Sequence, residues 1–241
     1  MKLLHIQFQA YTSTFKMPNI NSGTMISCPV PPYSTIVGII SSCLGRELKK
    51  DETKIGFKYS YEHKGSDLEK THRLKYDNGI LKQNPDTSVT TREFHIKPIL
   101  DIYLSNLDLK KYFLNPIWTP SLGRSQDMAW ITKIEEIDVE PTESGKIKAT
   151  LIPFDSLNGK IIPGRFIQAT DYYSNYDSDI TKSKGYGYVR VGDAPKIYIA
   201  TPFSNDGIDI EIDNLYIINM EKDVGIKSNK EVIYLHKLGG Y

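Results

Sequence analysis

Apolar and polar side chains alternate from the first residues of the chain. Leu4, Ile6, Phe8 and Ala10 take turns with His5, Gln7, Gln9 and Tyr11, the period of a strand with one greasy and one polar face. The polar face either looks at water or presents amides, an imidazole and a phenol to a ligand. This strand runs on through Thr12, Ser13, Thr14 and Phe15, fades at Pro18, and gives way to a loop over 19–23. The period then changes. After the stiff run Cys28, Pro29, Val30, Pro31 and Pro32, the residues Ile36, Val37, Ile40, Cys43 and Leu44 recur at steps of three and four, which predicts a helix with one apolar stripe. Pro32 fits in or just before its first turn, Ser34 and Thr35 offer hydroxyls to its free N–H groups, and Gly45 supplies a left-handed stop. The stripe is expected to pack on the greasy face of the first strand.

Further along, 55–61 reads as an aromatic-rich strand after a charged connector. Residues 93–104 read as a strand with an irregularity at Pro98, 110–114 as a short helical turn and 128–139 as another strand. Residues 141–146 are polar and turn-like, so a soft boundary is expected there. Beyond it, 146–154, 164–173, 185–191, 196–202, 208–220 and 232–236 read as strands. Turns at Asn158 and Gly159, at Gly192 and Asp193, and at Asp206 and Gly207 separate them, and 174–183 reads as a loop of tyrosine, serine and aspartate.

The 241 residues suffice for one large domain or two small ones. With a net charge of +1, a nucleic-acid partner cannot be drawn in by bulk attraction and needs a local basic groove. Cys28 and Cys43 are the only cysteines and have no metal-ligand or disulfide spacing, so they read as buried thiols in a reducing cytoplasm. No run reaches the length of a membrane span, and the N-terminal apolar run is too short and too polar for a signal peptide. The sixteen tyrosines are ordinary strand residues or stacking platforms.

Candidate chemistry gathers in three places. A helix start with free N–H groups and the hydroxyls of Ser34 and Thr35 can hold a phosphate, or simply be a capped helix on a sheet. Leu122, Gly123, Arg124, Ser125 and Gln126 form a glycine-hinged loop whose arginine suits a phosphate or a base edge; read alone, it is equally a turn with a surface arginine. The segment 62–91 carries His63, Lys64, Lys70, His72, Arg73, Lys75 and Lys82, with turn signals at Asp77, Asn78 and Gly79 and at Asn84 and Pro85. A protruding hairpin around Asn78 is expected. Residues 184–191, KGYGYVRV, nearly match an RNA-recognition strand motif, but the flanking strands lack the helix that motif needs. Metalloprotease, nucleophile-elbow and Walker sequences are absent. The pair Asp177 and Asp179 has no third ligand. A metal-independent ribonuclease could be assembled from His63, Lys64, His72 and nearby tyrosines.

PPYSTIVGIISSCLG, TREFHIKPILDIYL, LGRSQD and the closing YLHKLGG, in this order and spacing, resemble the CRISPR-associated protein 5 family in its subtype I-B flavour. The resemblance implies an α+β fold, with a ferredoxin-like (RRM-type) N-terminal domain of the RAMP superfamily over 1–140, a hairpin thumb insertion over 62–91, and a smaller β-rich C-terminal domain over 141–241. It implies a cytoplasmic, RNA-binding subunit of the type I Cascade effector in antiviral defence. Such a subunit grips the 5′ handle of the crRNA and contacts the filament subunit and the large subunit, with no membrane and no cofactor. The RNA-binding positions would be Ser34, Thr35, Arg46, Lys64, Arg73, Lys75, Gly123, Arg124, Ser125 and Gln126. One branch of the family cuts the precursor RNA itself, using a tyrosine near the helix end and a lysine–histidine pair before the glycine loop. Here Leu44 stands at or near the tyrosine position and no such pair precedes Leu122. The expected role is therefore non-catalytic, with a metal-independent endoribonuclease as the alternative.

Overall fold

The opening alternation builds β1 (Lys2–Ala10), which the two-residue β2 (Thr12–Ser13) prolongs. The structure, a computed structural model, describes residues 1–17, 20, 23–83, 88–176, 189–202, 206–221 and 229–239. After β3 (Thr24–Met25), the apolar stripe forms α1 (Tyr33–Leu44). Leu4, Ile6, Phe8 and Ala10 share one buried cluster with Ile36, Val37, Ile40, Cys43 and Leu44, as expected. Each such large side chain contributes about 1.5–3 kcal/mol relative to water. Gly45 ends the helix in the left-handed region, at φ 68°. The helix start departs from expectation: its cap is Pro32, extended at φ −61° and ψ 152°, and no side chain caps it. The N–H groups of Thr35 and Ile36 donate instead to the Pro32 carbonyl, at 2.9 and 3.3 Å. Proline serves here because a cap residue keeps its carbonyl for the helix while its own N–H is not called upon.

Next come β4 (Ile55–Ser60), β5 (His63–Thr71), β6 (Leu74–Asp77), β7 (Ile80–Gln83), β8 (Ser88–Ile96) and β9 (Ile99–Leu104). They are followed by the short α2 (Lys110–Leu114) and by β10 (Ala129–Asp138). One sheet has the order β10-β1-β9-β4, with every neighbouring pair antiparallel. The strand expected over 93–104 is two strands. Lys97 takes a φ of +49° and Pro98 has no N–H for the ladder, so β8 stops and β9 starts afresh.

Residues 62–83 and 88–96 form an extended arm. β5 pairs with β8 from His63↔Ile96 to Thr71↔Ser88, and nine residues at strand spacing reach about 30 Å. Beyond it β6 and β7 pair around Asn78 and Gly79, at φ 48° and 80°, the type I′ turn that an Asn-Gly sequence favours. Leu68, Leu74, Tyr76, Ile80, Leu81 and Val89 are all exposed along this arm. The turn expected at Asn84 and Pro85 lies outside the described residues.

The turn expected over 141–146 is instead a strand, β11 (Glu140–Ile147), which begins one residue after β10. It is followed by β12 (Leu151–Pro153), β13 (Arg165–Ala169), β14 (Tyr173–Tyr176), β15 (Val189–Gly192), β16 (Lys196–Ala200), β17 (Ile208–Glu221) and β18 (Asn229–Tyr234). Pairing with β17 overrides the turn-like composition of β11, and a register irregularity between Thr142 and Ser144 absorbs the misfit. β17 also pairs with β18, β16 lies between β12 and β13, and β14 pairs with β15. Residues 184–188 of the RNA-recognition-like stretch, and Asp177 and Asp179, lie outside the described residues.

The core does not stop at residue 140. Leu151, Ile167, Ala169, Tyr172, Tyr198 and Ala200 belong to the same buried cluster as β1 and α1. Tyr33, at the helix start, donates to the Leu151 carbonyl at 3.0 Å and lies against the His236 ring at 4.3 Å. Behind it the buried Asp171 accepts from the Tyr198 hydroxyl and pairs with His236 Nε2 at 3.0 Å and Lys196 Nζ at 3.2 Å. Cys28 and Cys43 are free and buried, and burial pushes their thiols up to about 12 and about 11. Among the described residues no helix is long and apolar enough to cross a membrane.

Candidate nucleic-acid interface

The glycine loop is built on the end of the first strand. Thr14 N–H donates to the Leu122 carbonyl at 3.0 Å, and Leu122 N–H to the Asp127 carbonyl at 2.8 Å. Gly123 has a φ of 116°, and a Cβ there would lie 1.8 Å from the Thr14 carbonyl oxygen, so no other residue fits. Arg124 is not a simple surface arginine. Its Nε and Nη2 each donate at 3.0 Å to the carboxylate of Asp127, which is 1% exposed and also accepts from Thr12 Oγ1 at 2.6 Å. Asp127 is the residue sequence reasoning missed, because nothing in SQD separates a buried anchor from a solvated aspartate. Ser125 and Gln126 are exposed beside it.

Aromatic surface flanks this loop. Tyr11 and Trp130 sit with ring centroids 5.1 Å apart and remain 78% and 41% exposed. Together with Gln9, Tyr61, His63 and Lys97 they border a groove of about 780 Å³. Trp118, the other tryptophan of the chain, is also exposed and lines another recess together with Trp130. Not every group of the polar face of β1 is free to bind. His5 is buried against Asp101 at 2.8 Å and Glu135 at 3.0 Å, and Gln7 donates to Asp101 at 3.0 Å. Gln9 and Tyr11 are left at the groove.

The ten candidate positions fall in four places. Ser34 and Thr35, half-buried, start α1 beside the C-terminal strands; no hydrogen bond or ion pair links Ser34 with Arg124. Arg46 follows the opposite end of α1, about 18 Å along its axis, where its Nη1 and Nη2 donate to the Glu52 carboxylate at 2.9 and 2.5 Å. That hydrogen bond holds the Glu52 carboxyl below its usual range. Lys64 stands at the root of the arm, while Arg73 and Lys75 lie past the end of β5, about 30 Å further out. Gly123, Arg124, Ser125 and Gln126 occupy the loop.

The acid–base set imagined from His63, Lys64 and His72 is not assembled. β5 separates the two histidines by about 30 Å, and His72 Nδ1 faces Gln83 Nε2 at 3.2 Å. His95 is buried, with Nδ1 on the Tyr59 hydroxyl at 2.7 Å, and burial pushes it down to about 4. Leu44 is a core residue, 4% exposed.

The family described as CRISPR-associated protein (Cas_Cas5) matches residues 4–183 of the chain. Among solved structures, a chain of a CRISPR RNA-guided surveillance complex is similar at a TM-score of 0.50 and 13% identity, over 82% of this chain and 90% of that one. A chain of a Type III-B Cmr-beta complex bound to cognate target RNA and AMPPnP has a TM-score of 0.50 at 10% identity, over 88% and 86%. A CRISPR protein from Archaeoglobus fulgidus has a TM-score of 0.45 at 10% identity, over 99% and 100%. At these identities the first two likenesses show the fold alone. No curated protein matches the chain.

Proposed function

We propose that this chain, which belongs to the Cas_Cas5 family of CRISPR-associated proteins, is a non-catalytic subunit of a type I Cascade effector that binds the 5′ handle of the crRNA. The strand order β10-β1-β9-β4 with its helical crossover supports a ferredoxin-like, RRM-type unit over 1–140 with the arm as its thumb. The β-rich 141–241 is then the smaller second domain, sharing the core of the first. The observation that carries the RNA reading is the exposed Tyr11–Trp130 pair beside the glycine loop. Two bare aromatic rings at a groove are what splayed bases stack on, at about 1–3 kcal/mol per base. The exposed apolar side chains of the arm support protein contacts there, to the filament subunit and the large subunit.

Handle RNA titrated into the Tyr11→Ala, Trp130→Ala double variant should bind about 10-fold or more weakly than to the natural chain, at one fixed salt concentration. Equal affinity would remove these rings from the interface. Incubating the chain with repeat RNA in EDTA should leave the RNA intact, and specific cleavage at the handle junction would replace this reading by the endoribonuclease. If filament and large subunits assemble with it equally well on a scrambled handle, the chain is a scaffold that contacts proteins alone.

A further inference from the structure

Tyr61 borders a second recess besides the aromatic groove. This cleft of about 470 Å³ has the proline run (Pro29, Val30) on one wall and the C-terminal strands on the other, with Lys64 and Arg165 among its lining. Arg165 is held there by its neighbour. A Cβ at Gly164 would lie 2.3 Å from Ile199 and 2.7 Å from the Ala200 carbonyl, so the bare backbone lies flat on β16 and Arg165 pairs in register with Ala200. The two cations come from different elements, Lys64 from β5 and Arg165 from β13. The charge of Arg165 reaches the Cys28 thiol next to Pro29, and that of Lys64 reaches His95, whose ring stacks on Tyr61 at 3.9 Å. Among the described residues neither cation makes an ion pair. Glu93, whose charge is felt at Tyr61, accepts from the Ser27 N–H at 3.4 Å and is not part of the lining.

We infer that this cleft seats one nucleotide of a single-stranded RNA, its phosphate between Lys64 and Arg165 and its nucleoside against Tyr61, Pro29 and Val30. The inference rests on the RNA-binding reading above and extends the interface onto the C-terminal strands. Two unneutralised cations in a concavity concentrate an anion, and the volume falls within the range of about 300–1,000 Å³ typical of small-molecule sites. A bare oxyanion would leave the apolar walls unused. Because Tyr61 borders both recesses, a strand lying on Tyr11 and Trp130 would pass Tyr61 to enter the cleft. No motif marks Arg165 in the sequence, since its partner across the cleft is about a hundred positions away.

The test uses the full chain, the Lys64→Ala and Arg165→Ala variants and their double, titrated with handle RNA at several salt concentrations, with uridine 5′-monophosphate and with inorganic phosphate. Among the described residues neither side chain makes a hydrogen bond that the fold depends on, so thermal stability should be retained. RNA affinity is expected to fall about 10-fold or more in the double variant, and the logarithmic salt slope to shrink by about 0.7 for each phosphate contact removed. Uridine monophosphate should compete with RNA on the natural chain and lose its binding in the double variant. A double variant with unchanged RNA affinity and salt slope overturns the cleft while leaving the proposed function standing. If the natural chain binds no handle RNA, the proposed function falls and the mononucleotide decides the cleft: saturable binding lost in the double variant sustains it, and absent or unaltered binding overturns it. Inorganic phosphate competing as well as the mononucleotide would overturn the nucleoside part.

Discussion

Arg124→Ala is expected to lower the unfolding free energy by about 2–3 kcal/mol, where a solvated surface arginine would cost less than about 0.5. The reason is Asp127. Its buried carboxylate loses two of its donors and keeps only the Thr12 hydroxyl and the Arg124 N–H, and a buried charge stripped of its cation is among the costlier lesions in a protein. Arg124 is itself partly exposed, its side chain at 22%, which keeps the figure below that of a fully enclosed pair. Thermal melting of a chain this size should show a loss of about 4–12 °C. Ser125→Ala, one residue on and exposed, should leave the melt unchanged. An Arg124→Ala melt that overlays the natural one would mean that the carboxylate finds other partners. RNA titrations of this variant must therefore be run well below its melting temperature, or lost stability will be mistaken for lost contact.

Asp171→Ala is expected to cost more, about 3–5 kcal/mol, because it strands His236 and the Tyr198 hydroxyl at the junction of the two halves and takes one ion-pair partner from Lys196. The carboxyl also makes the junction sensitive to acid. Burial alone would raise its pKa, but the hydrogen bond and charge of His236 and the charge of Lys196 outweigh burial and hold it below the ordinary aspartate value. A pKa depressed by folding gives stability that is present above the unfolded value, about 3.9, and is lost as pH falls through the folded value. Urea unfolding of the natural chain should thus lose stability below about pH 4 more steeply than Asp171→Asn does. Parallel acid profiles for the two would show that the group titrates alike folded and unfolded.

Much of the sheet around β1 was legible because its signals are local. Alternation gives β1, the three-and-four spacing gives α1, and Asn78-Gly79 gives the tip of the arm. The misses share a different cause. β5, HKGSDLEKT, has no apolar face to display its period, since what holds it is the ladder to β8. β11 contains Pro141, Ser144 and Gly145, which spell a turn until β17 lies alongside. The candidate cations were picked by type, yet Arg46 and Arg124 spend their donors on Glu52 and Asp127, and the three on the arm are spread along its length. A charge can be read from sequence; its partner cannot.

The two tryptophans give this protein a built-in optical reporter. Trp118 and Trp130 line one recess on either side of the glycine loop in sequence and both are exposed, so the tryptophan emission of the free chain, excited beyond tyrosine absorption, comes from one side of the molecule and should be red-shifted. Any ligand or subunit that settles on that side will shift it to the blue or quench it. One that binds only the distant end of the arm will leave the spectrum as it was.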